Sequence, residues 1–248
     1  MPKAKRLRVF AGPNGSGKST LFEDINQQFD TGYFVNSDAI EKEISSTGFV
    51  NLENFGLSLT EKDLHSFFRK PNTQSLLEKS AAEGHKIDIR IKENVIVDRS
   101  RDTHSYEASL ITSFIRKHLL EKGISYSFET VMSHISKLDE IQNAKDLGYK
   151  TYLYFVCLDD SQLNISRVQN RVEKGGHAVP KDKIITRYTR TLENLLPAVL
   201  LVQKAYLFDN SGQTMLLVAE VKDGQLTILV EEEKLPNWFI EYIVNKVK

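Results

Sequence analysis

The stretch from Arg6 to Leu21, Arg-Leu-Arg-Val-Phe-Ala-Gly-Pro-Asn-Gly-Ser-Gly-Lys-Ser-Thr-Leu, constrains the fold more than any other part of the chain. Leu7, Val9 and Phe10 begin a short apolar strand, expected over Leu7 to Ala11, and the pattern predicts a helix from Ser19 to about Phe29. Between them Gly12 to Ser19 fits G-x-x-x-x-G-K-[ST], a phosphate-binding loop set between strand and helix as such a loop requires. Gly12, Gly15 and Gly17 allow backbone angles that a side chain would forbid, so amide N–H groups can turn inward onto phosphate oxygens at a helix N-terminus. Gly12, Pro13, Asn14, Gly15, Ser16, Gly17, Lys18, Ser19 and Thr20 are therefore the candidate nucleotide contacts. Lys18 supplies a point charge for the outer phosphates, and the Ser19 hydroxyl is the candidate Mg2+ ligand. The competing reading, a glycine-rich turn that binds nothing, leaves the joint register of strand, loop and helix unexplained.

At 248 residues the chain can bury a full core, and its length suits one domain with an insertion as well as two domains; a single domain with an insertion is expected. Thirty-three basic residues balance thirty-three acidic ones, so no global charge argues for nucleic acid or an anionic membrane as a partner. Cys157, the one cysteine, lies in an apolar run; it rules out an intrachain disulfide and a Cys-rich zinc site, and reads as a small buried residue. Met-Pro-Lys-Ala-Lys-Arg runs directly into the first strand, so no signal peptide is expected. The longest apolar runs, such as Leu195 to Val202 with Pro197 inside it, are too short to span a bilayer. A cytoplasmic location is expected.

A second strand, Tyr33 to Val35, ends at Asn36-Ser37-Asp38, and ligands gather at the C-terminal ends of parallel strands. Asp38 is thus a candidate for chemistry, or the N-cap of a helix from Ala39 to Ile44, or both. Residues 45–103 read as an insertion, with helices at Leu64 to Phe68 and Ser75 to Glu83 and a hairpin pairing Ile87, Ile89 and Ile91 with Val95 to Val97. It either contributes to an acceptor pocket or is structural decoration. The core resumes with a helix at Ser105 to Lys122, a strand at Ile124 to Phe128 closed by Glu129-Thr130, a helix at Met132 to Leu147, and a continuous apolar strand at Tyr152 to Leu158. Alternating strands and helices, with continuous rather than alternating apolar character, predict an α/β fold built on a parallel sheet flanked by helices.

From Ser161 the chain turns basic. Arg167 and Arg171 share one face of a helix, and Arg187 and Arg190 share a face of the next, across the loop Glu173 to Pro180. Two helices carrying arginines around hinge glycines make a lid that could close on phosphates. A strand at Ala205 to Phe208 leads to Asn210, a candidate neighbour of the nucleotide base. Residues 213–248 form an extension, with a hairpin of Met215 to Val221 and Gln225 to Val230 and an amphipathic helix from Pro236 to Val247. Neither an L-S-G-G-Q signature nor an N-K-x-D motif is present, and Asp159 with Asp160 reads as helix capping. The remaining pattern is that of a P-loop small-molecule kinase: an acid after strand two, an acid after strand three and an arginine lid.

Gly12 to Thr20, Val35-Asn36-Ser37-Asp38, Phe128-Glu129-Thr130, Gly148-Tyr149-Lys150 and Arg167-Val168-x-x-Arg171-Val172-x-x-Gly175-Gly176-His177-x-Val179-Pro180 together resemble the zeta toxin family, and most closely its zeta-like predicted-ATPase branch. The resemblance covers about residues 5–45 and 105–212. It implies a kinase that uses ATP and Mg2+ and is held off by an antitoxin protein; the family's toxins phosphorylate the sugar 3′-hydroxyl of UDP-N-acetylglucosamine. Carried over by position, Lys18 and Ser19 match the nucleotide and Mg2+ residues, and Asp38 matches the base toward the acceptor hydroxyl. Glu129 matches an acceptor-site acid, with Thr130 beside it and Arg190 a further acceptor-side candidate. Arg171 and Arg187 match the lid arginines on the transferring phosphate, and Arg167 is a further nucleotide contact. The insertion and the C-terminal hairpin depart from the toxins' pattern. A nucleotide-dependent ATPase or binding module acting through a protein partner is the alternative function.

Overall fold

The computed structural model of the protein describes residues 4–100, 105–176 and 178–247. In chain order the elements are β1 (Arg6–Ala11), α1 (Lys18–Gln28), β2 (Tyr33–Val35), α2 (Ser37–Thr47), β3 (Phe49–Asn51), α3 (Glu61–Phe68), α4 (Pro71–Ala82), β4 (Ile89–Lys92) and β5 (Val95–Asp98). There follow α5 (Ser105–Glu121), β6 (Tyr126–Thr130), α6 (Ser136–Asp146), β7 (Lys150–Cys157), α7 (Ser161–Glu173), α8 (Lys181–Glu193), α9 (Leu195–Leu201), β8 (Lys204–Asp209), β9 (Leu216–Lys222) and β10 (Gln225–Ile228). The chain divides into two compact units, one of Met1–Gly32 with Ser127–Lys248 and one of Tyr33–Tyr126.

In the first unit the strands run side by side in the order β10-β9-β8-β7-β1-β6. β1 pairs with β7 in parallel, Ala11 opposite Phe155, and β7 pairs with β8 in parallel, Cys157 opposite Asp209. β9 and β10 then add antiparallel. Leu153 to Cys157 are buried one after another, so β7 is covered on both faces, which is why its sequence does not alternate. Successive side chains leave a strand on opposite faces. Phe10, Tyr154 and Tyr206 stack in a row on one face, with ring centroids 4.8 and 5.1 Å apart, and Leu21 and Phe22 of α1 pack on it. Phe155 faces the other way, onto Trp238. The mostly parallel α/β sheet flanked by helices follows the expectation.

Several local expectations are corrected. The helix expected from Met132 starts only at Ser136. Met132 itself is buried in a left-handed conformation (φ 58°), and its N–H donates to the Thr130 hydroxyl. Asp160 alone caps α7, accepting from Gln162 N–H at 2.8 Å; Asp159 instead accepts the Trp238 N–H and the Asn237 side chain. The C-terminal helix runs over the expected stretch but is irregular, with a π-helical turn at Ile240–Val244 between α-helical turns at Asn237–Phe239 and Asn245–Val247. Trp238, Phe239 and Ile243 are buried there, whereas Val247, inward in a regular helix, is exposed.

In the second unit β3, β5 and β4 form an antiparallel sheet. Its hairpin turns through Glu93 and Asn94 at φ 51° and 64°, the positive angles that a tight two-residue connection requires. The Asn94 amide holds the preceding segment, donating to Leu57 carbonyl at 2.8 Å and accepting Leu59 N–H at 2.9 Å. α4 begins at Pro71, earlier than the expected Ser75, because a proline at the first helical position is already set at the helical φ. Phe114 of α5 lies at the centre of the core, edge-to-face with Phe67 and with His118. Asn36, not Asp38, is the N-cap of α2, and its side chain accepts Ala39 N–H at 2.9 Å.

Candidate active site

The loop between β1 and α1 is built into the middle of the sheet. Its first residue, Gly12, donates its N–H to Thr130 carbonyl at 3.3 Å, so β6 anchors the loop where it leaves β1. Gly12 has φ 146°, and a Cβ added there would stand 2.0 Å from the Val156 carbonyl oxygen. Gly17, at φ 104°, would place a Cβ 2.5 Å from the Asn210 amide nitrogen. Gly12 is required by close approach to fixed backbone as well as by conformation, and Gly17 by conformation, the atom it would meet being the end of the Asn210 side chain.

Lys18 points back across the loop, and its ammonium donates to Pro13 carbonyl at 2.9 Å. The Ser19 hydroxyl donates to Glu129 Oε2 at 3.2 Å, bringing the acid after β6 to the head of α1. Ser16 is fully buried, its N–H donating to Pro13 carbonyl at 3.3 Å. Two side chains, Asn210 and Asn164, hold the loop from outside, and Arg167 in turn holds Asn210. Asn210 Nδ2 donates to Ser16 carbonyl at 2.8 Å, Arg167 Nη2 to Asn210 carbonyl at 2.8 Å, and Asn164 Nδ2 to Asn14 carbonyl at 2.6 Å. Asn164 went unnoticed in the sequence. The signal was there in its spacing from Arg167 and Arg171, three and seven residues on and so on one helical face.

The two arginine-bearing helices α7 and α8 pack through Ile165, Val168 and Ile184, with Val179 of the connecting loop against them. Arg171 and Arg190 are exposed, and Arg167 and Arg187 are half-buried. Gly176 N–H donates to Arg171 carbonyl at 2.9 Å, so the loop folds back over the end of α7. His177 of the lid motif lies outside the described residues. Beneath α8, the Tyr188 hydroxyl donates to Leu158 carbonyl at 2.8 Å, and burial raises the tyrosine's pKa. Burial likewise pushes the Cys157 thiol well up, so the cysteine offers no thiolate.

Asp38 belongs to the second unit, where it is exposed in the first turn of α2. Lys18, Ser19, Glu129, Thr130, Asn210 and Arg167 are joined by the contacts above within the first unit. Among the described residues, no group of three or more His, Cys, Asp and Glu side chains could hold a metal ion by itself. None of the described helices is long and apolar enough to cross a membrane.

A family model described as "Zeta toxin" matches residues 75–221, more than half of the chain. The chain belongs to the zeta toxin family. The match excludes residues 12–20, so the phosphate loop stands beside the zeta toxin assignment as a separate observation. In structure the chain is similar to the AvrRxo1-ORF1:-ORF2 structure with ATP, at TM-score 0.54 and 16% identity, covering 92% of this chain and 61% of that one. The AvrRxo1-ORF1:AvrRxo1-ORF2 structure with sulphate ions gives TM-score 0.53 at 16% identity, with the same coverage. At such identity the likeness concerns the fold, and this zeta toxin family member spans less than two thirds of those chains. A Haemophilus influenzae protein described as uncharacterized is 26% identical over 69 residues, 28% of this chain and 49% of that one.

Proposed function

We propose that the protein is a phosphotransferase that moves the γ-phosphoryl group of ATP, with Mg2+, to a hydroxyl of a small molecule. The observation that carries this reading is the Ser19–Glu129 contact at the head of α1, beside Lys18. A hydroxyl and a carboxylate are the hard oxygen donors that Mg2+ takes, and the amides of the loop suit phosphate oxygens. The residues therefore fit ATP and Mg2+: residues 12–20 for the phosphates, and Ser19, with Glu129 behind it, for the ion. When bound, ATP supplies the phosphoryl group and Mg2+ offsets its charge.

The chain's own residues then do the following. Lys18 leaves the Pro13 carbonyl for the outer phosphates, and Arg171 and Arg187 of the lid stabilise the spreading negative charge. Asp38 orients the acceptor hydroxyl and takes its proton as the new P–O bond forms and the bond to the ADP oxygen breaks. Glu129, Thr130 and Arg190 border the acceptor, and Arg167 and Asn210 the nucleotide. The family assignment supports a nucleotide sugar such as UDP-N-acetylglucosamine as acceptor, an antitoxin protein as partner and a cytoplasmic setting. The test is ATP turnover with and without UDP-N-acetylglucosamine and other hydroxyl compounds, with phosphorylated product followed by mass spectrometry and Lys18→Ala as the blank. Loss of a lid arginine should cost roughly 10³–10⁵ in rate, and Asp38→Asn roughly 10²–10⁴. ATP binding without a phosphorylated acceptor would defeat the proposal.

A further inference from the structure

Asn210, which supports the phosphate loop, sits in a turn that is itself held by the C-terminal segment. Trp238 Nε1 donates to Asp209 Oδ1 at 3.0 Å. The Ser211 hydroxyl donates to the same oxygen at 2.8 Å, and Ser211 N–H donates to Oδ2 at 3.0 Å. The Ser211 hydroxyl also accepts Asp159 N–H at 2.8 Å, and Asp159 accepts Trp238 N–H at 3.1 Å and the Asn237 amide at 2.6 Å. The indole is 2% exposed and its ring centroid lies 5.7 Å from that of Phe155. Residues 237 and 238 therefore tie the C-terminal ends of β7 and β8 together.

Asn210 stands within that tie. Its N–H donates to Cys157 carbonyl at 2.9 Å, its side chain to Ser16 carbonyl at 2.8 Å, and its carbonyl accepts Arg167 at 2.8 Å. Its amide nitrogen occupies the space a Cβ on Gly17 would need, so any displacement of the turn passes directly into the loop. We infer that Trp238 is a positioning residue for the phosphate loop, acting through the Asp209–Ser211 turn and Asn210. The inference rests on the reading that the loop binds a nucleotide. An asparagine amide reaches a fixed carbonyl only while its own backbone is fixed, and this backbone leaves a strand for an irregular segment. Without the indole donor, the Asp209 carboxylate keeps, among the described residues, the two bonds from Ser211 in the same turn, and the turn is left to Asp159 N–H on Ser211 and Asn210 N–H on Cys157.

The experiment is calorimetric titration of Mg-ADP into the full chain and into Trp238→Phe, Asn210→Ala and the double variant. Phenylalanine keeps an aromatic ring at the site but removes the Nε1–H together with the second ring of the indole, a loss of buried volume that the melting temperature reports separately. Trp238→Phe should weaken ADP binding about two- to tenfold, the worth of one net hydrogen bond. Asn210→Ala should weaken it at least as much, and the double variant should match Asn210→Ala within twofold, because the tie has nothing left to position. An indole that served stability alone would lower the melting temperature and leave affinity unchanged. Unchanged affinity in Trp238→Phe, or effects that multiply in the double variant, overturns the inference while leaving nucleotide binding in place. If Trp238→Phe does not fold, Ser211→Ala loosens the same turn and takes its place in the cycle. No ADP binding by the unaltered chain would reject the nucleotide reading itself, and the inference with it.

Discussion

Replacing Gly12 by alanine tests whether the loop's shape is imposed by the sheet. Two costs add. At φ 146° a side chain is strained, by roughly 1–2 kcal/mol for positive φ in general. The new methyl would also lie 2.0 Å from the Val156 carbonyl oxygen, well inside contact distance, and that oxygen is backbone in β7, whose Val156 is in register with Phe208 of β8. Forcing extra volume into a packed site costs roughly 1–3 kcal/mol more. The sum, about 2–5 kcal/mol, corresponds to a fall in Tm of about 4–20 °C for a chain of this size. The control is Gly224→Ala, at φ 82° in the β9–β10 turn of the same unit, where nothing lies within 4 Å of the added methyl. It bears only the first cost, about 1–2 kcal/mol. Thermal denaturation followed by circular dichroism compares the two, and titration with Mg-ADP follows the loop. Gly12→Ala should melt lower than Gly224→Ala and lose nucleotide affinity, while Gly224→Ala keeps it. Equal melting temperatures together with unaltered affinity in Gly12→Ala would show that the loop yields freely, and would refute the argument.

Three further outcomes are expected. Phe114→Ala should destabilise the second unit by about 3–5 kcal/mol in denaturant titration, since a fully buried ring touching Phe67 and His118 leaves a cavity. Burial holds the Tyr149 phenol up at about 12, against 10.0 unperturbed, so above pH 10 the unfolded chain loses a proton that the native chain keeps. Stability is therefore fully present below about pH 10 and falls as pH rises toward 12, and Tyr149→Phe should flatten that decline in melting temperature measured against pH. Cys157, buried and with its thiol held well above the ordinary range, should resist a disulfide reagent in the native protein and react at once in denaturant; prompt native labelling would contradict that placement.

The α/β class, the phosphate loop and most strands were legible in the sequence because each rests on a local rule. Glycine spacing, a strand before the loop and a helix after it, and the continuous apolar run of β7 need no knowledge of distant residues. Both hairpins were readable for the same reason, from alternation and turn residues. What the sequence left undecided depended on partners far along the chain. Asp159 is read locally as a cap for the helix that follows, yet its oxygens accept Asn237 and Trp238 nearly eighty residues away. The C-terminal helix forms where its apolar pattern placed it, but Trp238 and Ile243, five residues apart and both buried, are brought to one side by a π-helical turn rather than by even α-helical spacing. Met132 departs from its expected helix where the Thr130 hydroxyl takes its N–H. Glu129 could be read as an acid at a strand end, but only the fold brought it to Ser19, 110 residues away in sequence, as it brought Asn164 to Asn14 and Asn210 to Ser16. Local sequence fixes which backbone angles and faces a segment can offer; which groups then satisfy one another is decided by the packing of the whole sheet.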